Sequence, residues 1–216
     1  MAGFSLSLPK RWQSASVWAL YAVGLMPAAS GFYLGATGAL GPDPVKTFEL
    51  FLGLWTIRFL LATLFVSPLR ELGGWNLLRY RRALGLLTFY YALMHFLVYM
   101  VLDQALFLPA VVADVAKRPF IMFGMAGLVM LTALAVTSNN LSIRRMGRNW
   151  IWLHRLVYII AACGAVHFAL STKVLSLEQY VYITLIIAMI LYRSWRPIMM
   201  QRRKRARRAA TVGAAG

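Results

Sequence analysis

Cysteine and acidic side chains are what this chain has least of. Its single cysteine, Cys163, excludes an intrachain disulfide and any cysteine-based zinc or iron–sulfur site. Six acidic residues face 23 basic ones, for a formal net charge of +17, yet charged residues make up only 13% of the chain. The basic residues fall in short segments between apolar runs, which is the arrangement of the positive-inside rule and not of a nucleic-acid-binding face. No GxGxxG or P-loop pattern occurs, and no internal repeat or long linker divides the sequence. We therefore expect no Rossmann-type domain here, so that any electrons the protein moves reach it from another molecule.

What is present is apolar: 61% of residues are hydrophobic. A soluble domain of 216 residues could not bury that much, so the class is an all-α integral membrane protein. Six windows are long and apolar enough to span, at about 20 residues each: 14–34, 47–66, 83–102, 119–137, 151–171 and 178–196. They predict a six-helix bundle over 14–196, between an N-terminal segment 1–13 and a basic tail 197–216. The first window, interrupted by Gly24, Pro27 and Gly31 and preceded by Lys10 and Arg11, has some of the look of a secretory signal. We read it as a retained helix, because its removal leaves an odd count and a poorer charge match.

Orientation follows from the loops. One side carries Lys10 and Arg11, then Arg70, Arg79, Arg81 and Arg82, then Arg144, Arg145 and Arg148, then the run from Arg193 to Arg208. The other carries Lys46, Lys117, Arg118 and Lys173, offset by Asp43, Asp103, Asp114 and Glu178. That asymmetry predicts cytoplasmic termini, with the QRRKRARR tail as a stop signal and a contact for anionic lipid. Both outer loops rich in turn residues, GATGALGPDP and DQALFLPAVVADVAKRP, are too short to fold alone.

All three histidines, His95, His154 and His167, lie inside these apolar windows. Ionisable residues are costly there and mark functional sites, and imidazole is the usual axial ligand of haem iron. From His154 to His167 the helix rises about 20 Å, so the two sit near opposite faces. His95 precedes Asp103 by eight residues and His167 precedes Lys173 by six, on helices running the same way. Their depths match, and a haem held between His95 and His167 on the outer half is the expectation. His154 has no histidine partner: where a second one would stand, near the start of the third helix, the chain has Arg81 and Arg82. Thirteen residues at 100° each also leave His154 and His167 well apart around the axis, unless the helix is irregular near Cys163–Gly164. The competing reading is that a membrane histidine merely hydrogen-bonds a neighbouring helix.

Arg58 lies about 11 residues from the outer end of the second window, near the bilayer middle, and must meet an anion. A haem propionate would serve, as would a snorkelling path. Glu49, nine residues away on the opposite side of the helix, is excluded as its partner. Arg81, Arg82, Arg144, Arg145 and Arg148 form a surface suited to propionates, a flavin phosphate or an acidic donor protein. Met, Phe, Tyr and Trp residues are lipid contacts, interfacial belts and helix packing.

The runs LWTIRFLLATLFVSPLR, YRRALGLLTFYYALMHF, KRPFIMFGMAGLVMLTALAVTS and RRMGRNWIWLHRLVYI resemble the MsrQ (formerly YedZ) family. Its members are haem-binding membrane subunits of bacterial periplasmic methionine-sulfoxide reductase systems. The resemblance runs from about Gly41 to Arg196, and more distantly the chain is similar to the membrane domains of ferric reductases, NADPH oxidases and STEAP proteins. It implies an inner-membrane protein with haem b at His95, His154 and His167, one haem or two, and an FMN. It also implies a periplasmic molybdopterin partner, MsrP, on which methionine sulfoxide in oxidised proteins is reduced. Electrons are then expected from the quinone pool or a cytosolic flavin reductase. Relative to NADPH oxidases, the chain lacks the first histidine of the third helix, where Arg81 and Arg82 stand, and the flavin and nicotinamide domain. The competing functions are a stand-alone transmembrane ferric or quinone reductase, and a proton- or metal-coupled transporter. Against the latter stand the shortage of intramembrane carboxylates other than Glu49 and the lack of an inverted repeat.

Overall fold

The computed structural model describes the backbone of residues 9–213, and the side chains of that range except Lys10 and 197–213. The N-terminal segment expected over 1–13 therefore lies partly outside the described residues, as do the side chains of the basic tail. Among the described residues the chain is wholly helical: α1 (Lys10–Ala36), α2 (Pro44–Leu72), α3 (Arg81–Val98), α4 (Leu108–Lys117), α5 (Pro119–Val136), α6 (Asn140–Met146), α7 (Arg148–His154), α8 (Val157–Leu170) and α9 (Leu177–Gly213). Local chemistry sets several starts. Asp43 caps α2 by accepting from the Lys46 N–H at 3.0 Å, and Asn139 caps α6 through the Ser142 N–H at 2.8 Å. Proline occupies the first turn of α2, α4 and α5, where its missing N–H costs nothing.

Five segments are long and apolar enough to cross a membrane: Arg11–Ala36, Pro44–Leu72, Leu78–Asp103, Pro119–Val136 and Arg148–Leu170. They make the protein an all-helical, multi-pass membrane protein. The sixth expected span falls within α9, whose charge-free apolar stretch is the short one between Glu178 and Arg193. Among the described residues it is not one of those five.

The fifth span is not one continuous helix. It breaks into α7 and α8 at Arg155–Leu156, about two turns after Gly147, which enters α7 at a φ of 51°. The irregularity expected near Cys163–Gly164 is thus found next to His154 instead, and α8 runs unbroken through Cys163 and Gly164. Only a glycine takes the Gly147 conformation without strain.

Packing is heaviest within two helix pairs, α2 with α3 and α5 with α8. At the end nearest Arg70 and Arg144, the pairs are joined by a buried core that includes Leu60, Leu61 and Leu64 of α2, Leu131 and Leu134 of α5, and Ile160 of α8. α1 packs on the first pair through Ala28, Leu52, Leu87 and Tyr91. There Tyr91, fully buried, donates its hydroxyl to the Gly24 carbonyl (2.7 Å) and accepts from the Ala28 N–H (3.0 Å). Those two groups are helix partners one turn apart in α1, beside Pro27. Gly24 is needed for the approach, since a Cβ there would stand 2.6 Å from Leu87 Cδ1.

Candidate functional site

Towards the other end, a cavity opens between the two helix pairs. Its empty volume is about 1400 Å³, open mouth included. Of its lining residues, Leu60, Leu131 and Ile160 are buried, whereas Lys46, Asp103 and Arg118 are exposed. A buried apolar lining with exposed charges suits an amphiphilic group with carboxylates on one edge.

His95, from α3, and His167, from α8, both line this cavity. Their ring centroids are 6.1 Å apart and their planes cross at 81°. A metal–imidazole bond is about 2 Å and each nitrogen lies about 1.1 Å from its ring centre, so two imidazoles on one metal have centroids about 6 Å apart. The depth match read from the sequence thus corresponds to a spacing that one iron can bridge.

The tautomers agree. His95 Nδ1 lies 2.8 Å from the Glu49 carbonyl oxygen, and His167 Nδ1 lies 2.7 Å from that of Phe120. A carbonyl only accepts, so Nδ1 carries the proton in both rings and Nε2 keeps the lone pair. Histidines that ligate metals hold their other nitrogen in this way. Among the described residues no three His, Cys, Asp or Glu side chains converge. Two imidazoles alone suit an iron whose remaining ligands come from a macrocycle, and haem fits the donor set, the spacing and the cavity.

The other residues singled out by sequence lie elsewhere. Arg58 was expected to meet a propionate, but it is not among the residues lining the cavity. Its Nε donates to the Tyr182 hydroxyl at 2.9 Å, and its guanidinium pairs with Glu178 at 3.2 Å and stacks over Trp55. An anion does meet it, but that anion comes from α9. We expect Arg58→Ala to leave haem content unchanged and to lower thermal stability, because it leaves Glu178 and the Tyr182 hydroxyl without their partner. The haem-to-protein ratio and a melting curve check this; a fall in the ratio would restore the propionate role.

His154 stacks on Trp150 with centroids 3.8 Å apart, its Nδ1 3.1 Å from the Trp150 carbonyl and its Nε2 3.4 Å from Ser138 Oγ. It does not line the cavity shared by His95 and His167. Arg81 and Arg82 lie near enough to act on it electrostatically, and Arg82 donates to Asn140 Oδ1 at 3.0 Å. Sequence reasoning missed Gly53 and Gly124, which lie directly against the two imidazoles. Each stands four residues after the residue whose carbonyl the ring engages, a spacing visible in the sequence.

Residues 50–165 match the family of ferric reductase like transmembrane components. The chain is similar to a protein-methionine-sulfoxide reductase haem-binding subunit MsrQ of Rhizobium meliloti (strain 1021), 59% identical over 198 residues that make up 92% of each chain. It is 55% identical to the protein of the same name in Brucella ovis, over 90% of this chain and 87% of that one. No solved structure matches it.

Proposed function

This chain belongs to the MsrQ family of haem-binding subunits, within the ferric reductase-like transmembrane proteins, and on that footing we propose that it carries electrons across the bacterial inner membrane to a periplasmic methionine-sulfoxide reductase. Haem b, when bound, supplies the one-electron chemistry. His95 and His167 would hold its iron, and the observation that carries this reading is the pair of Nδ1–H bonds to the Glu49 and Phe120 carbonyls, which leaves both Nε2 lone pairs for the metal. Buried Leu60, Leu131 and Ile160 would keep water from the macrocycle, and Lys46 and Arg118, also in the lining, would suit its carboxylates.

In this reading both termini are cytoplasmic and α9 makes a sixth crossing. The His95–His167 site then lies on the periplasmic half, where a molybdopterin partner of the MsrP type can accept the electron and reduce methionine sulfoxide in damaged proteins. On the cytoplasmic side, Arg81 and Arg82 suit an FMN phosphate or an acidic donor, with quinone or a flavin reductase as the electron source. Reconstitution tests this directly. Vesicles holding the protein and supplied with a flavin reductase or quinol inside should drive sulfoxide reduction by MsrP outside. Delivery to ferric chelates but never to MsrP would replace this reading with a stand-alone transmembrane reductase.

The inner side makes its own prediction. His154→Ala should slow haem reduction by a flavin reductase severalfold, while the His95–His167 haem stays bound and reducible by dithionite. Loss of all haem, or entry of electrons at the wild-type rate, would show that His154 does not serve electron entry.

A further inference from the structure

Helix interiors disfavour glycine relative to alanine, so Gly53 and Gly124 are not there for the sake of α2 and α5. In an α-helix the residue at i+4 sits beside the carbonyl of residue i, and its Cβ screens that oxygen from a lateral approach. Gly53 is the i+4 residue to Glu49, and Gly124 is the i+4 residue to Phe120. These are the two carbonyls that accept from His95 Nδ1 (2.8 Å) and His167 Nδ1 (2.7 Å). A Cβ at Gly53 would stand 3.2 Å from both Cε1 and Nδ1 of His95, tighter than an ordinary contact. At Gly124 it would stand 2.8 Å from His167 Nδ1 and 3.0 Å from Cε1, where the ring must move. Neighbouring glycines lack this relation: a Cβ at Gly127 in α5 would meet only Cys163 Cβ, at 3.8 Å, and one at Gly85 in α3 only Thr63 Cγ2, at 3.9 Å.

The same seat is thus built twice, once in each helix pair. α2 offers a carbonyl and a glycine gap to His95, and α5 offers them to His167. A ring pinned at Nδ1 cannot turn about its Cβ–Cγ bond, so each seat fixes one imidazole plane, and the planes stand 81° apart. We propose that Gly53 and Gly124 are the positioning residues of this site: by baring the Glu49 and Phe120 carbonyls they hold the two imidazoles crossed, nearly at right angles, on one iron. The proposal rests on the haem reading above. Crossed planes interact about equally with the two iron orbitals that parallel planes would split. Ferric low-spin iron so held gives one dominant feature at large g in paramagnetic resonance, whereas parallel imidazoles give a three-line rhombic pattern.

The test uses the full-length protein in detergent: wild type, Gly53→Ala, Gly124→Ala and the control Gly85→Ala. The measurements are haem content, ferric resonance spectrum, midpoint potential and the rate of haem transfer to apomyoglobin. Wild type and Gly85→Ala should share the large-g spectrum. Gly124→Ala should lose it to rhombic or high-spin signals and release haem about 10–100-fold faster, the usual penalty for removing a partner of a metal-bound imidazole. Gly53→Ala should move the same way by less, with a shifted potential. A rhombic wild-type spectrum, or wild-type spectra, potential and haem release in both alanine variants, would overturn the proposal and leave the haem reading intact. Wild type without a Soret band would end both. Should Gly124→Ala fail to accumulate, Gly53→Ala and the wild-type line shape decide the matter.

Discussion

Replacing His95 or His167 by alanine should each remove the same low-spin haem signal, and replacing both should do no further harm. In the proposed reading each ring would supply one ligand to the iron, and a centroid separation of 6.1 Å is one that a single metal could bridge. The walls of the cavity offer no substitute donor of the same kind, since His95 and His167 are the only histidines among its lining residues. Losing either ligand should cut the haem-to-protein ratio of the purified protein at least about tenfold. Because the ligands act as a unit, the double variant should match the singles and not multiply their effects. Optical spectra of the three variants decide this. Different signals lost from the two single variants, or a double variant much worse than either, would place the histidines on separate metals.

Tyr91→Phe should be the most damaging conservative change outside the cavity. The hydroxyl lies between the Gly24 carbonyl and the Ala28 N–H in a fully buried position. Phenylalanine keeps the packing against Phe59 and Trp55 but withdraws both hydrogen bonds. Each buried backbone group left unpaired costs about 1–3 kcal/mol, and because the two are each other's helix partners the loss should fall in the lower part of the summed range, about 2–4 kcal/mol. For a chain of this size that is a fall in melting temperature on the order of 5–15 °C. The haem spectrum at room temperature should not change, because Tyr91 is not among the residues lining the cavity. An unchanged melting temperature would mean that α1 closes its own turn without help.

Depth along a helix is arithmetic, and that is why the His95–His167 pairing was legible before any coordinates. Counting residues to Asp103 and Lys173 was enough to put the rings at one level. The need of Arg58 for an anion was equally legible, but the identity of the anion was not: Glu178 is 120 residues away, and nothing in the sequence says that α9 lies against α2. Backbone groups carry no letter of their own, which hid the Glu49 and Phe120 carbonyls, though the glycines that expose them were in plain view. The break at Arg155–Leu156 was hidden differently. Hydropathy treats 148–170 as one run, whereas the interruption lies in the backbone, where the Arg155 and Leu156 N–H groups donate to the carbonyls three residues back, those of Trp152 and Leu153.

The division of the bundle into two helix pairs has a consequence for the life of the protein in the cell. The pairs are fastened together by a dry core at one end and stand apart around the cavity at the other, with one imidazole on each side of the gap. A prosthetic group gripped by both acts as a rivet, and its binding free energy adds to the stability of the assembled bundle as RT ln(1 + [L]/Kd). Starved of haem, the chain would keep its fastened end and lose the tie at the open one, giving quality-control proteases a place to begin. Abundance of the subunit would then track haem supply at constant synthesis, so that the membrane holds mainly copies already fitted to carry current.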